Sequence, residues 1–145
     1  MIVIDTNVLS ALMRDIPDQS VIEWLDRQAA ESIWLTSITV FEARLGLALL
    51  PKGKRRQTLE SAFNDLMVED LEGRVLDFDQ PAAEAAAQLA AGRQRKGQTI
   101  DMRYTQIAGI AIARRAALAT RNVRHFSDLP IDVINPWDAG QSATE

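Results

Sequence analysis

The sequence predicts an α/β sandwich, in which a mainly parallel central sheet is flanked by helices. Short apolar runs, of which "IVI" at 2–4 is the first, alternate with longer segments of helical periodicity. This alternation is typical of parallel strands joined by crossover helices. The composition agrees, because 47% of the 145 residues are hydrophobic and 25% are charged, as in an ordinary globular domain. In such sheets, function gathers at the carboxyl ends of the strands.

The predicted elements follow one another along the chain. Short apolar or β-branched runs predict strands at 2–4, 32–37, 74–78, 118–120 and 132–137. Apolar residues at helical spacing predict helices through Leu12, over 21–25, 39–50, 56–68 and 80–95, and after Asp101. Pro51 ends one helix, whereas Pro81 opens another at a first position, where a missing N–H costs nothing. We expect one domain over 1–137 and a frayed tail over 138–145.

Composition and charge exclude several classes of protein. No apolar run approaches the length of a membrane span, and the N-terminus lacks the pattern of a signal peptide. The sequence has no cysteine, which excludes disulfides and thiolate metal sites, so a cytoplasmic location is expected. The formal net charge of −4 argues against a protein that coats nucleic acid non-specifically. A nucleic-acid substrate stays compatible with it, because the local field decides that interaction.

Two acidic residues follow predicted strands. Asp5 comes directly after the first strand and is either the cap of the next helix or a metal ligand. We favour the functional role, because Thr6 and Asn7 are able to cap the helix in its place. Glu42 follows the second strand and is either the second half of a capping box with Thr39 or a second acid of the same site. The spacing alone leaves Glu42 undecided.

The fourth predicted strand ends in "ATRN", which puts Thr120 and Asn122 at the corresponding point. The side-chain amide of Asn122 either holds a metal-bound water or closes a turn, and the sequence favours neither. The single histidine, His125, lies in a polar turn and is more simply structural or phosphate-facing than a general base.

Several segments resemble, in order, the PIN-domain ribonucleases and, more narrowly, the VapC/FitB-type toxins of bacterial toxin–antitoxin pairs. They are "MIVIDTNVLSAL", "LTSITVFEARLGLALLPKGKRR", "GRVLDFDQPAAEAAAQLAAGRQRKG", "DMRYTQIAGIAIARRAALATRNVRHF" and "VINPW". The resemblance extends from Met1 to about Trp137. It implies a PIN-like three-layer sandwich with a cleft that holds Mg²⁺ or Mn²⁺ between acidic side chains and cuts RNA phosphodiesters.

The resemblance also implies roles for individual residues. Asp5 matches the family's first acid and Glu42 its second, and Asn122 stands where many relatives have a fourth acid. Thr6 and Asn7 are expected to orient Asp5 and water. The residues expected to hold the RNA backbone are all basic and comprise Arg93, Arg95, Lys96, Arg121 and Arg124.

Tyr104 departs from the family pattern, because it stands at the position of the third acid. Mg²⁺ prefers hard, charged oxygen ligands, whereas a phenol presents a neutral oxygen at the end of a bulky ring. We therefore expect Mg²⁺ or Mn²⁺ to bind weakly and RNA cleavage to be impaired. Tyr104 also shares an inward helical stripe with Ile107 and Ala111, where a tyrosine packs well. Asp101 is expected to be the N-cap of this helix rather than a replacement ligand.

The partners implied by the resemblance are RNA, a second copy of the chain, and an antitoxin whose C-terminal segment covers the active-site groove. The resemblance also implies that a larger toxin–antitoxin assembly would bind DNA through the antitoxin. Apolar residues that are candidates for these contacts, or more simply for the core, are Leu9, Leu12, Trp24, Leu45 and Leu49. A catalytically silent PIN-fold protein that acts only by binding antitoxin or RNA is the alternative.

Two other classes of protein fit less well. A haloacid-dehalogenase-type phosphatase also has an aspartate after its first strand, but it requires a second acid two residues later, where this sequence has Asn7. A response-regulator receiver requires an acidic pair and a strand-end lysine, and neither is evident.

Overall fold

The computed structural model describes residues 1–138 and has a five-stranded parallel sheet at its centre. The strand order is β3-β2-β1-β4-β5, and all four neighbouring pairs are parallel. Ile2 on the central strand pairs with both Ile33 and Ala117. The carboxyl ends of β1, β2 and β4 therefore lie side by side. The strands are β1 (Ile2–Ile4), β2 (Ile33–Thr36), β3 (Val75–Leu76), β4 (Ala117–Ala119) and β5 (Val133–Ile134).

Six α-helices connect and flank these strands. Within residues 1–138, none of them is long and apolar enough to cross a membrane. The helices are α1 (Thr6–Leu12), α2 (Gln19–Asp26), α3 (Ser37–Leu49), α4 (Lys54–Asp65), α5 (Gln80–Arg95) and α6 (Met102–Arg114). Shorter turns are π-helical over Leu66–Asp70 and 3-10 helical over Ala30–Ser32 and Val123–Phe126.

The sheet divides the core into two layers of apolar side chains. Side chains alternate between the faces of a strand, so the neighbours Val3 and Ile4 belong to different layers. Ile4 packs with residues of α1 to α4, whereas Val3 packs with residues of α5 and α6. The predicted three-layer sandwich is confirmed, and its sheet is parallel throughout.

Three predicted strands are shorter than expected, and the one predicted at 32–37 covers Ile33–Thr36. The strand predicted at 74–78 pairs only over Val75–Leu76, because the Phe78 N–H donates to Ser37 Oγ at 3.1 Å instead of to a neighbouring strand. The strand predicted at 132–137 ends at Ile134. Beyond it, the side chain of Asn135 accepts a backbone N–H two residues later, which turns the chain. Of the predicted tail, residues 139–145 lie outside the described part of the chain.

Helices α5 and α6 pack closely on one face of the sheet. Gly109 of α6 makes the approach possible, because a Cβ at this position would lie 2.5 Å from the Ala82 carbonyl oxygen and 2.7 Å from Ala86 Cβ. This packing fixes the direction in which α6 presents its first turn to the carboxyl edge of the sheet.

Candidate active site

Asp5 lies at the carboxyl end of β1, where only 1% of its surface is exposed. Its Oδ1 accepts the Val8 N–H at 3.1 Å, so Asp5 itself caps α1. The expectation that Thr6 or Asn7 would cap in its place is therefore wrong. Its Oδ2 accepts the hydroxyl hydrogen of Thr120, which follows β4. One oxygen of the Asp5 carboxylate therefore caps α1, and the other binds the residue that follows β4.

Burial raises the pKa of the Asp5 carboxyl above its usual range, because the charged form is poorly solvated inside the protein. Hydrogen bonds from Thr120 and from the backbone N–H groups of Val8 and Asn7 oppose this increase, while the negative charge of Glu42 adds to it. The repulsion from Glu42 is the smallest of these effects. A cation between the two carboxylates would relieve that repulsion.

Glu42 is on the second turn of α3, and 16% of its side chain is exposed. Its Oε1 accepts the Thr6 hydroxyl hydrogen at 2.7 Å, and its Oε2 accepts from Arg103 Nη1 at 3.1 Å. Because Thr6 directly follows Asp5 in the chain, this contact places Glu42 near Asp5 at the carboxyl ends of β1 and β2. We call the region around these two acidic residues the hollow.

The cap of α3 resolves the alternative that the sequence left open for Glu42. The helix begins at Ser37, two residues before the predicted start, because Thr36 Oγ1 accepts the Thr39 N–H at 3.1 Å. Thr39 is therefore inside the helix and does not form a capping box with Glu42. The Glu42 carboxylate is directed to the hollow instead.

Tyr104 is on the first turn of α6 and is half-buried. Its phenol oxygen accepts a hydrogen bond from Asn122 Nδ2 at 3.1 Å, and its ring stacks on His125 with 5.7 Å between ring centroids. The Asn122 N–H in turn donates to Thr120 Oγ1 at 3.1 Å. Hydrogen bonds thus run from the tyrosine through Asn122 and Thr120 to the Asp5 carboxylate.

A second set of contacts connects the Asp5 region to the first turn of α6. Thr6, next to Asp5, contacts Glu42, and Glu42 contacts Arg103, which is the chain neighbour of Tyr104. These contacts connect the side chains predicted at the first, second and third acidic positions. Asn122, which was also predicted as a site residue, bonds to both Thr120 and Tyr104.

Asp101 caps α6, as expected. Its Oδ1 accepts the backbone N–H groups of Arg103 at 3.0 Å and Tyr104 at 3.1 Å. The carboxylate is held at the helix end rather than directed at Asp5 and Glu42.

Arg93 differs from its expected role as an RNA contact. It is only 7% exposed, and its Nη2 lies 3.0 Å from Asp128 Oδ1 and also donates to the His125 carbonyl oxygen. The hydrogen bond from Arg93 holds the pKa of the Asp128 carboxyl below its usual range. Because the guanidinium is engaged inside the protein, it fixes the loop after β4 and is not available to a phosphate.

The other four basic candidates are exposed. Arg95 and Lys96 lie at the end of α5. Arg121 and Arg124 border a cleft of about 540 Å³ next to Asn122. Arg121 also covers the ring of Trp137, with 4.9 Å between its guanidinium carbon and the ring centroid. These exposed cations, unlike Arg93, have the freedom to contact a polyanion.

The residues around the hollow fit a hydrated divalent cation but not a fully protein-ligated one. Mg²⁺ is commonly held by one or two carboxylates, with water and phosphate oxygens completing its shell. Asp5 and Glu42 supply two carboxylates, and Tyr104 adds a neutral oxygen. Within residues 1–138, no group of three histidine, cysteine, aspartate or glutamate side chains is arranged to hold a metal ion.

Of the apolar residues predicted as candidates for partner contacts, some lie in the core and others lie at the surface. Leu9 and Trp24 are buried, and Leu12 packs partly against the same core. In contrast, Leu45 is 46% and Leu49 75% exposed. Together with another exposed residue of the same helix they lie at intervals of four residues, which we call the α3 stripe: Phe41, Leu45 and Leu49.

A groove of about 470 Å³ starts at Thr6 and Glu42 and continues between α1, α3 and α4. Its outer border carries Arg14, Asp15 and Arg55. The apolar side chains that line it are Leu9, Met13, Leu47, Leu50 and Leu59.

Sequence reasoning missed the contribution of two residues. Arg103 contacts Glu42 although it is 61 positions away, and no periodicity identifies that contact. Thr120 was placed at a strand end without a role. The sequence did contain a signal for Thr120, because polar residues end or follow β1, β2 and β4. These residues are all buried in the structure: Asp5, Thr36 and Thr120.

Comparisons with known proteins agree with this geometry. Residues 2–131 match the family model described as PIN domain. A VapC ribonuclease of Sinorhizobium fredii is 41% identical over 138 residues, which cover 95% of this chain and 99% of that protein. Toxin FitB of Neisseria gonorrhoeae is 36% identical, with coverage of 94% of this chain and 99% of the toxin.

A solved structure extends the likeness to three dimensions. The structure of FitAB bound to a DNA fragment superposes with a TM-score of 0.86 at 36% identity, covering 94% of this chain and 96% of that one. The fold, the order of the segments along the chain and the sequence similarity therefore all indicate the same family. This chain belongs to the PIN-domain family, in the group that contains VapC and FitB.

Proposed function

We propose that this chain is the toxin of a type II toxin–antitoxin pair, with an endoribonuclease site that depends on Mg²⁺ or Mn²⁺ and is impaired by Tyr104. The observation that carries the proposal is the link from Asp5 through Thr6 to Glu42, which gathers two carboxylates at adjacent strand ends. Relatives named ribonuclease and toxin cover almost the whole chain.

In this mechanism, Asp5 and Glu42 would hold the cation. When bound, such an ion activates water and stabilises the charge that develops on the phosphate. Thr120 and Thr6 keep the two carboxylates in place through their hydroxyl groups. Asn122 orients the phenol at position 104. The exposed basic residues that would hold the RNA backbone are Arg95, Lys96, Arg121 and Arg124.

Tyr104 weakens this site in two ways. It removes one negative charge from the cation-binding hollow, and its ring fills volume between Asn122 and His125. An added carboxylate about 4 Å from a divalent cation would be worth about 8 kcal/mol before desolvation at an effective dielectric constant of ~20. The lack of that interaction is the reason why we expect weak binding of Mg²⁺ or Mn²⁺ by this chain.

The experiment is to compare the unmodified chain with Tyr104→Asp and Tyr104→Phe. We expect Tyr104→Asp to bind Mn²⁺ more than about tenfold more tightly and to cleave RNA in its presence. Tyr104→Phe keeps the ring without adding a charge, and should gain neither property. An inactive Tyr104→Asp protein would overturn the nuclease assignment, and full activity of the unmodified chain would overturn the role of Tyr104.

A second candidate function is supported by the same tyrosine. Because Tyr104 is satisfied by Asn122 and packs between His125 and Phe126, the fold tolerates the substitution. A catalytically silent PIN-fold protein that acts only by binding antitoxin or RNA would have this arrangement. Retained RNA binding without cleavage in all three proteins would favour it.

The proposed partners fit the surface. An antitoxin segment would occupy the apolar groove that starts at Glu42. The similar FitAB structure is bound to a DNA fragment, so the antitoxin would also connect a larger assembly to DNA. A second copy of the chain would cover the α3 stripe, since three large apolar residues on one exposed helical face favour association.

A further inference from the structure

We infer that Arg103 is the built-in counter-ion of Glu42 and that a divalent cation must displace it, so that this arginine sets the metal affinity of the hollow. The inference rests on the proposed metal site. The position of the Arg103 guanidinium supports the inference. Arg103 Nη1 lies 3.1 Å from Glu42 Oε2, and its Nη2 lies 4.0 Å from Asp101 Oδ2.

Both oxygens of Glu42 are engaged. Oε1 is held by the neutral hydroxyl group of Thr6, while Oε2 is held by the cationic Arg103. A carboxylate whose outer oxygen already contacts a cation has less attraction for a second one. For Glu42 to offer Oε2 to a metal ion, the guanidinium must move away.

Asp5 provides the internal comparison. Its two oxygens accept from the Val8 N–H and the Thr120 hydroxyl, which are both neutral donors. The hollow is therefore asymmetric, with one uncompensated carboxylate and one that is neutralised by Arg103. Competition between arginine and metal is confined to the Glu42 side.

The guanidinium is also free to leave. The Arg103 side chain is 61% exposed, whereas Glu42 is only 16% exposed. Exposed ion pairs are weak and exchange with water readily. Arg103 therefore acts as a displaceable occupant, while Thr6 keeps Glu42 in position for the incoming ion.

The test measures Mn²⁺ affinity directly by titration, with free Mn²⁺ followed by electron paramagnetic resonance. Arg103→Gln should bind Mn²⁺ about three- to fivefold more tightly than the unmodified chain, the size expected for loss of an exposed ion pair. The matched control is Arg114→Gln, at the other end of α6, where an exposed arginine pairs with Asp79 at 3.2 Å. This control should leave Mn²⁺ affinity unchanged.

A double-mutant cycle separates direct competition from a general change of charge. In a Glu42→Gln background, Arg103→Gln should no longer alter Mn²⁺ affinity, because the contact that it removes is already absent. An equal gain in both backgrounds would overturn the inference. So would equal affinities for Arg103→Gln and Arg114→Gln.

The outcomes also separate this inference from the proposed function. If Tyr104→Asp binds Mn²⁺ and Arg103→Gln has no effect, only the role of Arg103 falls. If no variant binds Mn²⁺, including Tyr104→Asp, the metal site and the role of Arg103 fall together.

Discussion

Thr120 donates its hydroxyl hydrogen to Asp5 Oδ2 across a separation of 115 residues in the chain. Both residues are buried at the ends of neighbouring parallel strands, β1 and β4. Thr120 Oγ1 also accepts the Asn122 N–H, so its hydrogen is directed to the carboxylate. The Thr120 hydroxyl group and the Val8 N–H thus hold the two oxygens of this buried acid in place.

The first prediction concerns that bond. Thr120→Val conserves shape but leaves the buried Asp5 carboxylate without its side-chain donor, so the free energy of unfolding at pH 7 should fall by about 2 kcal/mol. Urea unfolding measures the difference. Thr58→Val is the control, because Thr58 is exposed and its hydroxyl group bonds only to the Lys54 carbonyl within α4. Equal losses for the two variants would contradict the special role of Thr120.

The second prediction compares two helical glycines. Gly109→Ala would force its Cβ against the Ala82 carbonyl oxygen, so it should destabilise the protein by about 2 kcal/mol or more. Gly92→Ala adds the same methyl group to α5 with no atom within 4 Å, and should stabilise by about 0.5–1 kcal/mol through helix propensity. Thermal unfolding of both variants tests the pair. A stable Gly109→Ala protein would show that α5 and α6 are not so closely packed.

The third prediction is a pH dependence. Because Arg93 lowers the pKa of the Asp128 carboxyl, the folded state holds this proton less tightly than the unfolded state. The pair therefore stabilises the protein above the ordinary aspartate pKa, and its contribution is lost as the pH falls through the lowered value. Asp128→Asn should reduce stability at pH 7, and the difference from the unmodified chain should narrow in acid. The exposed Asp65→Asn change is a control, and a difference that is constant with pH would refute the linkage.

The fourth prediction tests the α3 stripe. Leu45→Lys places a charge at the centre of the apolar stripe, so it should convert a dimer into a monomer at micromolar concentration. Light scattering after size-exclusion chromatography gives the mass. Val68→Lys changes another exposed apolar residue in the same way, but away from α3. The dimer through this surface is excluded if both variants keep the mass of the unmodified chain.

Much of the fold was predictable because its signals are local. β-branched runs identified the strands, and proline marked the end of one helix and the start of another. The short length of β3 and β5 was not predictable in the same way, since the competing partners of Phe78 and of the residues after Ile134 are side chains that no periodicity reveals.

The sequence predicted candidate members of the site but not the contacts between them. Strand ends identified Asp5, and resemblance identified Glu42 and the position of Tyr104. Whether Asp5 also caps a helix, or whether Arg93 turns inward to Asp128, depends on distances between segments that are remote in sequence. Arg103 was missed for the same reason, because its contact with Glu42 exists only after α3 and α6 have packed.

The parallel order of the strands has a consequence for synthesis. The central β1 is synthesised before the other four strands, and its second neighbour, β4, is made more than one hundred residues after it. A nascent chain, or a fragment left by early termination or proteolysis, therefore cannot assemble the space that Thr120 and Asn122 complete. The hollow is therefore completed only after Thr120 and Asn122 have been synthesised and folded against β1.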